Sequence, residues 1–369
     1  MTLNDSAAPP LVRQRGVTLV ELMVALALGL IVTLVVSQIM SFSEGQKRVT
    51  TGGADAQVNG ALALYTLQRE IQMAGYGLTM DRDVLGCPIK TKHATAGDAT
   101  WTLAPVVITD GADGAPDTIS LLTAERAYSI PLSVSVDHPK TGDRFVVRSV
   151  VGVAKGDVLI AVPELFSASN HCTLFGVTDI AGANQLVHAA GSTGVAVWNQ
   201  DGGASIFPDA GYPAGTLLVN AGQIVNRVFE VGDQSLRQRT LNTASGGADV
   251  QDLFPQIVNL QALYGKDTDG NGVVDTYDNV TPTTNAGWRQ VLAVRLAVVA
   301  RSATYQKEEV TTAEPRWDVG TAIPVAGASD CDGSKCITLK IDGLVADWKH
   351  YRYSVFEVVA PLRNMLWGV

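Results

Sequence analysis

Residues 22–43 include no charged side chain. At 1.5 Å per residue this run makes roughly 33 Å of helix, enough to cross the hydrocarbon core of a bilayer. Arg13 and Arg15 stand just before it, so the positive-inside rule keeps the first residues cytoplasmic and sends the bulk of the chain outward. An ordinary secretory leader fits poorly, because the run exceeds the usual apolar region of about 7–15 residues and no small-x-small cleavage site follows at once. An ordinary single-pass anchor leaves Glu21 unexplained, a carboxylate at the mouth of the apolar span. Such an acid costs on the order of 2–3 kcal/mol unless it is paired, which makes it a functional residue by default.

The stretch Arg15-Gly16-Val17-Thr18-Leu19-Val20-Glu21-Leu22-Met23 resembles the processing motif of type IV prepilins and pseudopilins. That motif is a basic leader ending in Gly, an apolar first mature residue, and Thr-Leu-x-Glu opening a helix. The resemblance implies that a membrane-embedded prepilin peptidase cuts after Gly16 and methylates the new N-terminus at Val17. It also implies that Glu21 is an assembly residue whose carboxylate meets the N-terminal ammonium of a neighbouring subunit. Opposite charges brought together in a low-dielectric helix bundle offset part of each other's desolvation. Val17 stands where Phe is commonest in the family.

The 369-residue chain has a net charge of −9. Asp5, Arg13 and Arg15 contribute +1 of this, so the part after Gly16 carries −10. That acidity argues against nucleic acid as a direct ligand, and Lys47-Arg48 reads as a pair of solvated helix charges. Cys87, Cys172, Cys331 and Cys336 make an even count in an exported chain, so disulfides are expected. Three connectivities are open. Cys331 with Cys336 across a short Asp/Gly-rich loop, leaving Cys87 with Cys172, is favoured over free thiols. Neither CxxC spacing nor clustered His supports metal ligation by sulfur.

Beyond Glu44, Val58, Leu62 and Tyr65, and the row Leu64, Leu67, Ile71 and Ala74, recur at spacings of three and four. They predict a long helix continuing to Gly75-Tyr76-Gly77, with Gly45 and Gly52-Gly53 as places for a bend or local melting. From about residue 100 short β-like runs follow at 117–123, 145–153, 158–162, 215–219 and 224–231. Residues 290–301 and 351–359 read as central strands buried on both faces. The Ala/Gly/Ser/Asn-rich stretches 183–216 and 240–252 read as surface loops or insertions.

Asn259-Leu260-Gln261-Ala262-Leu263-Tyr264-Gly265 followed by Asp267-Thr268-Asp269-Gly270-Asn271-Gly272 resembles the PilW-type minor pilins. So do Val294-Arg295-Leu296-Ala297-Val298-Val299-Ala300-Arg301-Ser302 and the ending from Tyr351-Arg352-Tyr353 to Leu362-Arg363-Asn364. This resemblance implies a type IV pilin-like α+β fold: a long N-terminal hydrophobic helix packed on an antiparallel sheet, enlarged by β-rich insertions. The corresponding divisions are a leader at 1–16, a helix at 17–76 whose first part, 17–43, is the transmembrane and assembly half, and a β-rich globular domain at 77–369. The implied role is a minor pilin that helps initiate pilus assembly in or near the tip, supporting twitching motility, adhesion or DNA uptake. Its implied partners are other minor pilins, the major pilin, a pilus-tip adhesin and the prepilin peptidase. The implied location is the inner membrane of a Gram-negative bacterium, with the C-terminal domain periplasmic, and then the surface pilus.

Residues 267–278 place oxygen side chains at alternate positions around Gly272, as an EF-hand loop does. Asp267, Asp269 and Asn271 offer side-chain oxygens, Val273 its carbonyl and Asp275 a direct or water-mediated contact to a structural Ca2+. Asp278 takes the closing place, where Glu is usual. The plain alternative is an Asp/Gly turn without metal. His93, His138, His171, His188 and His350 are scattered without HExxH spacing, and no GxSxG, Walker or Rossmann motif occurs, so the chain reads as a non-enzyme. Two further functions stay open. One is a calcium-dependent adhesive module on a pilin anchor, with 183–216 and 240–252 as its surface. The other is a type II secretion pseudopilin, disfavoured by length and by the PilW-like C-terminal half.

Overall fold

The computed structural model describes residues 16–78, 82–125, 131–203 and 206–366. The residues before Gly16, expected as a leader and including Arg13 and Arg15, lie outside this set. The chain divides into two compact units, Met1–Gly52 and Gly53–Val369, and the helix Leu19–Met73 contributes to both. Its first part, Leu19–Glu44, is long and apolar enough to span a membrane. The division falls at Gly52-Gly53.

In the second unit the helix buries Ala56, Ala63, Leu67 and Ile71, with Ala74 just past its end, against Leu260, Val294, Leu296 and Val298. Full burial of a Leu or Ile side chain stabilises by about 1.5–3 kcal/mol. At about 100° per residue, Val58, Leu62 and Tyr65 point the opposite way, and all three are exposed. Of the two apolar rows in the sequence, only one therefore faces the core. Gly60 lies on the packed side, where the Phe356 ring occupies the place a Cβ would need. The helix stops at Met73, and Gly75 and Gly77 adopt left-handed backbone (φ 77° and 73°), conformations that end helices and that glycine takes without strain.

The sheet beneath the helix has the order Thr276–Asp278, Ile257–Lys266, Val291–Arg301, Tyr353–Pro361, all antiparallel. Val291–Arg301 is central. Val294, Leu296, Val298 and Ala300 face the helix, whereas Ala297 and Val299 face a second core with Trp317, Leu339 and Ile341. Tyr353–Pro361, expected as a second central strand, is instead an edge strand with exposed positions at Glu357 and Val359. Its apolar density reflects Phe356 and Val358 packing under the helix and Val355 packing on the other face.

A five-stranded antiparallel sheet runs Ala248–Pro255, Ser235–Leu241, Ile224–Gly232, Thr118–Ala124, Val106–Thr109. Asp117 ties it to the previous sheet. Its N–H donates to Leu260 O at 2.8 Å, and its carboxyl accepts from Gly111 N at 2.9 Å and Ala262 N at 2.7 Å. Burial pushes the Asp117 pKa up to about 7 against the lowering effect of those two N–H donors.

A six-stranded sheet runs Gly97–Thr102, Pro88–His93, Cys172–Gly176, Val158–Val162, Leu217–Gly222, Leu132–Ser133. One pairing, Ile89 opposite Cys172, is parallel. The alternate residues of Val158–Val162 enter two cores, one around Ile89 and Trp198, the other around Phe145, Phe175 and Tyr212. The stretch 183–216, expected as surface loop or insertion, supplies Leu186, Trp198, Phe207 and Tyr212 to these cores. Its small residues are turns between buried anchors. The 240–252 stretch closes the exposed hairpin between Ser235–Leu241 and Ala248–Pro255. The architecture is α+β, with a long apolar helix followed by largely antiparallel sheets.

Cys87 is bonded to Cys172 and Cys331 to Cys336, at sequence separations of 85 and 5. In the chain-entropy account, bridges closing loops of these lengths stabilise by about 4–5 and about 2 kcal/mol. Paired Cys→Ser replacement at 87 and 172 should therefore lower the unfolding free energy by roughly twice as much as replacement at 331 and 336, measured by denaturant titration.

Candidate functional site

The helix begins with a reciprocal pair. Thr18 N–H and Thr18 Oγ1 both approach Glu21 Oε2 at 3.0 Å, and Glu21 N–H donates to Thr18 Oγ1 at 3.3 Å. This is a capping box, in which each residue satisfies a backbone donor of the other. Its signal, Thr-x-x-Glu, is present in the sequence but is hidden when Glu21 is read only as a charge. Gly16 and Val17 lie immediately before the box, and Val17 is exposed. Further along, Thr33 Oγ1 donates to Gly29 O and Leu30 O, and Ser41 Oγ donates to Ser37 O. The helix thus absorbs these hydroxyls internally, as hydrocarbon surroundings require. Replacing Thr18 by Val removes the cap at nearly constant shape and should weaken the helix start by about 1 kcal/mol. Amide exchange at residues 19–22 in micelles should speed up about fivefold.

The second site is the hairpin loop between Ile257–Lys266 and Thr276–Asp278. One oxygen each from Asp267, Asp269 and Asp275 lie within 4.8 Å of one another. Gly270 and Gly272 have φ of 78° and 85°, which lets the backbone curl so that the N–H groups of Gly270, Asn271 and Gly272 reach Asp267 at 2.7–3.1 Å. Burial opposes the ionised form of Asp267, yet these three donors outweigh it and hold the carboxyl below its ordinary range. Thr268, through its N–H and then its hydroxyl, does the same for Asp275. Asn271 Nδ2 donates to Asp269 Oδ2 at 2.9 Å, and its Oδ1 accepts from Val273 N at 2.7 Å.

Asp278 is not brought to this cluster. Pairing opposite Tyr264 places its carboxylate on Lys266 Nζ at 2.6 Å, where it also accepts from Val280 N at 2.9 Å. No helices flank the loop, so nothing swings a twelfth-position acid over it. The remaining donors are all hard oxygens, the chemistry suited to Ca2+ or Mg2+ rather than to a softer metal.

Residues 224–364 match the family model of Type IV Pilus-assembly protein W, and residues 11–37 match that of the Prokaryotic N-terminal methylation motif. The chain carries a PilW domain behind a prepilin-type N-terminus. The PilW domain holds the whole four-stranded sheet, the 267–278 loop and the Cys331–Cys336 bridge. The six-stranded sheet and the core around Phe145 lie before it. No curated protein matches the chain. Among solved structures, the Type IV-like pilin TTHA1219 from Thermus thermophilus is similar at 11% identity over 84% of this chain and 97% of that one, with a TM-score of 0.32. That overlap is too loose to add to what the strands themselves show.

Arg295 is a residue of the PilW domain that sequence reading passed over. Its guanidinium lies 5.5 Å from both the Tyr277 and Trp317 rings and donates to Val319 O at 2.9 Å and Glu357 Oε2 at 3.0 Å. It is a clamp between layers, and an Arg inside a Val/Leu-rich strand was its only sequence signal. Two of the scattered histidines, His138 and His188, also meet. With the two 50 positions apart, no local motif could announce it.

Proposed function

We propose that the chain is a minor pilin that helps initiate type IV pilus assembly in or near the tip complex. The observation that carries this reading is the coincidence in one chain of the capped Thr18–Glu21 helix start, an uncharged span and a PilW domain. In this reading the leader is removed after Gly16 and Val17 becomes the methylated N-terminus. The ammonium of a neighbouring subunit then competes with Thr18 for the Glu21 carboxylate. The partners are other minor pilins, the major pilin and a tip adhesin. The PilW domain faces the periplasm before assembly and the exterior afterwards. The role is structural rather than catalytic.

Mass spectrometry of the mature protein should find N-methylated Val17 in cells with the prepilin peptidase and the intact leader in cells without it. Deletion of the gene should abolish or sharply reduce piliation. Normal pili with lost surface attachment would point instead to an adhesive module, and blocked exoprotein release to a secretion pseudopilin.

The loop at 267–278 is proposed as a structural Ca2+ site held by Asp267, Asp269 and Asn271 side chains, the Val273 carbonyl and Asp275, with water completing the six to eight oxygens the ion needs. Affinity in the extracellular range, about 10⁻⁴ M, would at millimolar calcium stabilise the fold by about 1–1.5 kcal/mol. Melting in calcium against chelator should show a raised Tm that Asp267→Asn removes. An unchanged Tm in the wild-type chain would leave the loop an Asp/Gly turn.

A further inference from the structure

Two imidazoles face each other in the core around Phe145. His138 Nε2 and His188 Nε2 are 3.0 Å apart, and the residues are 2% and 0% exposed. His138 is fixed by a two-way backbone bridge to Tyr212, at 2.7 and 2.8 Å. His188 follows the strand Gln185–Val187 and donates its N–H to Asp143 O at 3.1 Å. Phe145 stacks on the His138 ring with centroids 3.9 Å apart, and Phe207 meets both imidazoles edge-on at 5.1 and 5.3 Å. No third ligand group joins the two nitrogens among the described residues, so the spacing fits a shared proton rather than a metal.

At this distance one ring donates and the other accepts. Protonating both nitrogens would aim two N–H groups at each other and end the contact. Protonating one places a cation among Phe side chains, which costs its hydration. The carboxylate that acts on both rings, Asp143, is already ion-paired with Arg144 at 2.7 Å. Among the described residues, the other titratable groups around His138 do not take up the charge. Tyr212 is neutral, with its pKa raised by burial. Lys140 and Asp209 pair with each other at 2.6 Å, and Asp137 accepts from Ala214 N. His171, its pKa lowered by burial, bonds Ile206 O at 2.7 Å, a contact that a protonated ring retains.

We infer that the His138–His188 contact is an acid-released clasp, which holds the Gln185–Val187 strand against the 134–138 and 206–216 segments at neutral pH and lets go as pH falls. The sign follows from linkage. Burial pulls the His138 pKa down to about 4, whereas an opened imidazole titrates near 6.5. The closed form is therefore fully favoured above about 6.5, and its advantage drains away between about 6.5 and 4.

The test is amide exchange by mass spectrometry on the full chain in detergent micelles at pH 7.5 and 4.5, corrected for intrinsic exchange. Protection over 134–146 and 206–218 should fall by about one to two orders of magnitude at pH 4.5 relative to 291–301. The neutral pair His138→Gln with His188→Gln should lose most of that pH dependence. If that double variant does not fold, imidazole NMR of the wild-type chain decides: the His138 ring should titrate below about pH 5, in step with the lost protection. Unchanged protection at pH 4.5, an equal loss in the double variant, or a His138 ring titrating near 6.5 with protection intact would each overturn the clasp.

Discussion

The Val291–Arg301 strand is covered on both faces, by the long helix on one side and by the layer carrying Trp317, Leu339 and Ile341 on the other. A strand enclosed in this way must be apolar at successive positions, and its sequence is nearly so, with Arg295 as the exception before the terminal Arg301. That cation is tolerated because two aromatic faces, a backbone carbonyl and the Glu357 carboxylate receive it. The helix side is fixed by close approach at Gly60, where Phe356 fills the space a side chain would claim. Both contacts involve the Tyr353–Pro361 strand, so the last strand of the chain locks the helix and the outer layer to the same sheet.

The helix start and the 267–278 loop show two ways of holding a carboxylate. At Glu21 the acid caps its own helix through Thr18, so its charge is partly satisfied within the helix itself. In the loop, the backbone N–H groups of Gly270, Asn271 and Gly272 converge on Asp267 while Thr268 serves Asp275. These donors favour the ionised state and bring three acids close together. The loop also borders an interlayer contact, since Tyr277 bridges Val325 and bonds through its backbone to Pro324 and Ala326. Stiffening the loop would therefore also steady the segment leading to the Cys331–Cys336 hairpin.

The PilW domain accounts for the C-terminal sheet but not for the two cores built on Val158–Val162. Those cores bury His138, His171 and His188 in a chain whose histidines looked unremarkable one by one. Their arrangement depends on which strands become neighbours. The parallel pairing of Ile89 with Cys172, beside the Cys87–Cys172 bridge, is one such choice.

Features set by neighbours along the chain were legible in the sequence. The apolar span, the stop at Gly75-Tyr76-Gly77 and the alternating acids of the 267–278 loop follow from helical period, glycine backbone freedom and local hydrogen bonding. Features set by distant partners were not. Helical spacing presented two apolar rows, and only the sheet decided that Leu67 and Ile71 face inward while Leu62 and Tyr65 stay outside. Apolar density marked residues 351–359 as a strand but could not make it an edge, because strand order is a matter of non-local pairing. The small-residue stretch 183–216 looked like loop, and only tertiary packing showed Trp198, Phe207 and Tyr212 as its anchors. Asp278 had the right spacing for a ligand, yet strand register gave it to Lys266, since a side chain's direction is fixed by the pairing of its strand.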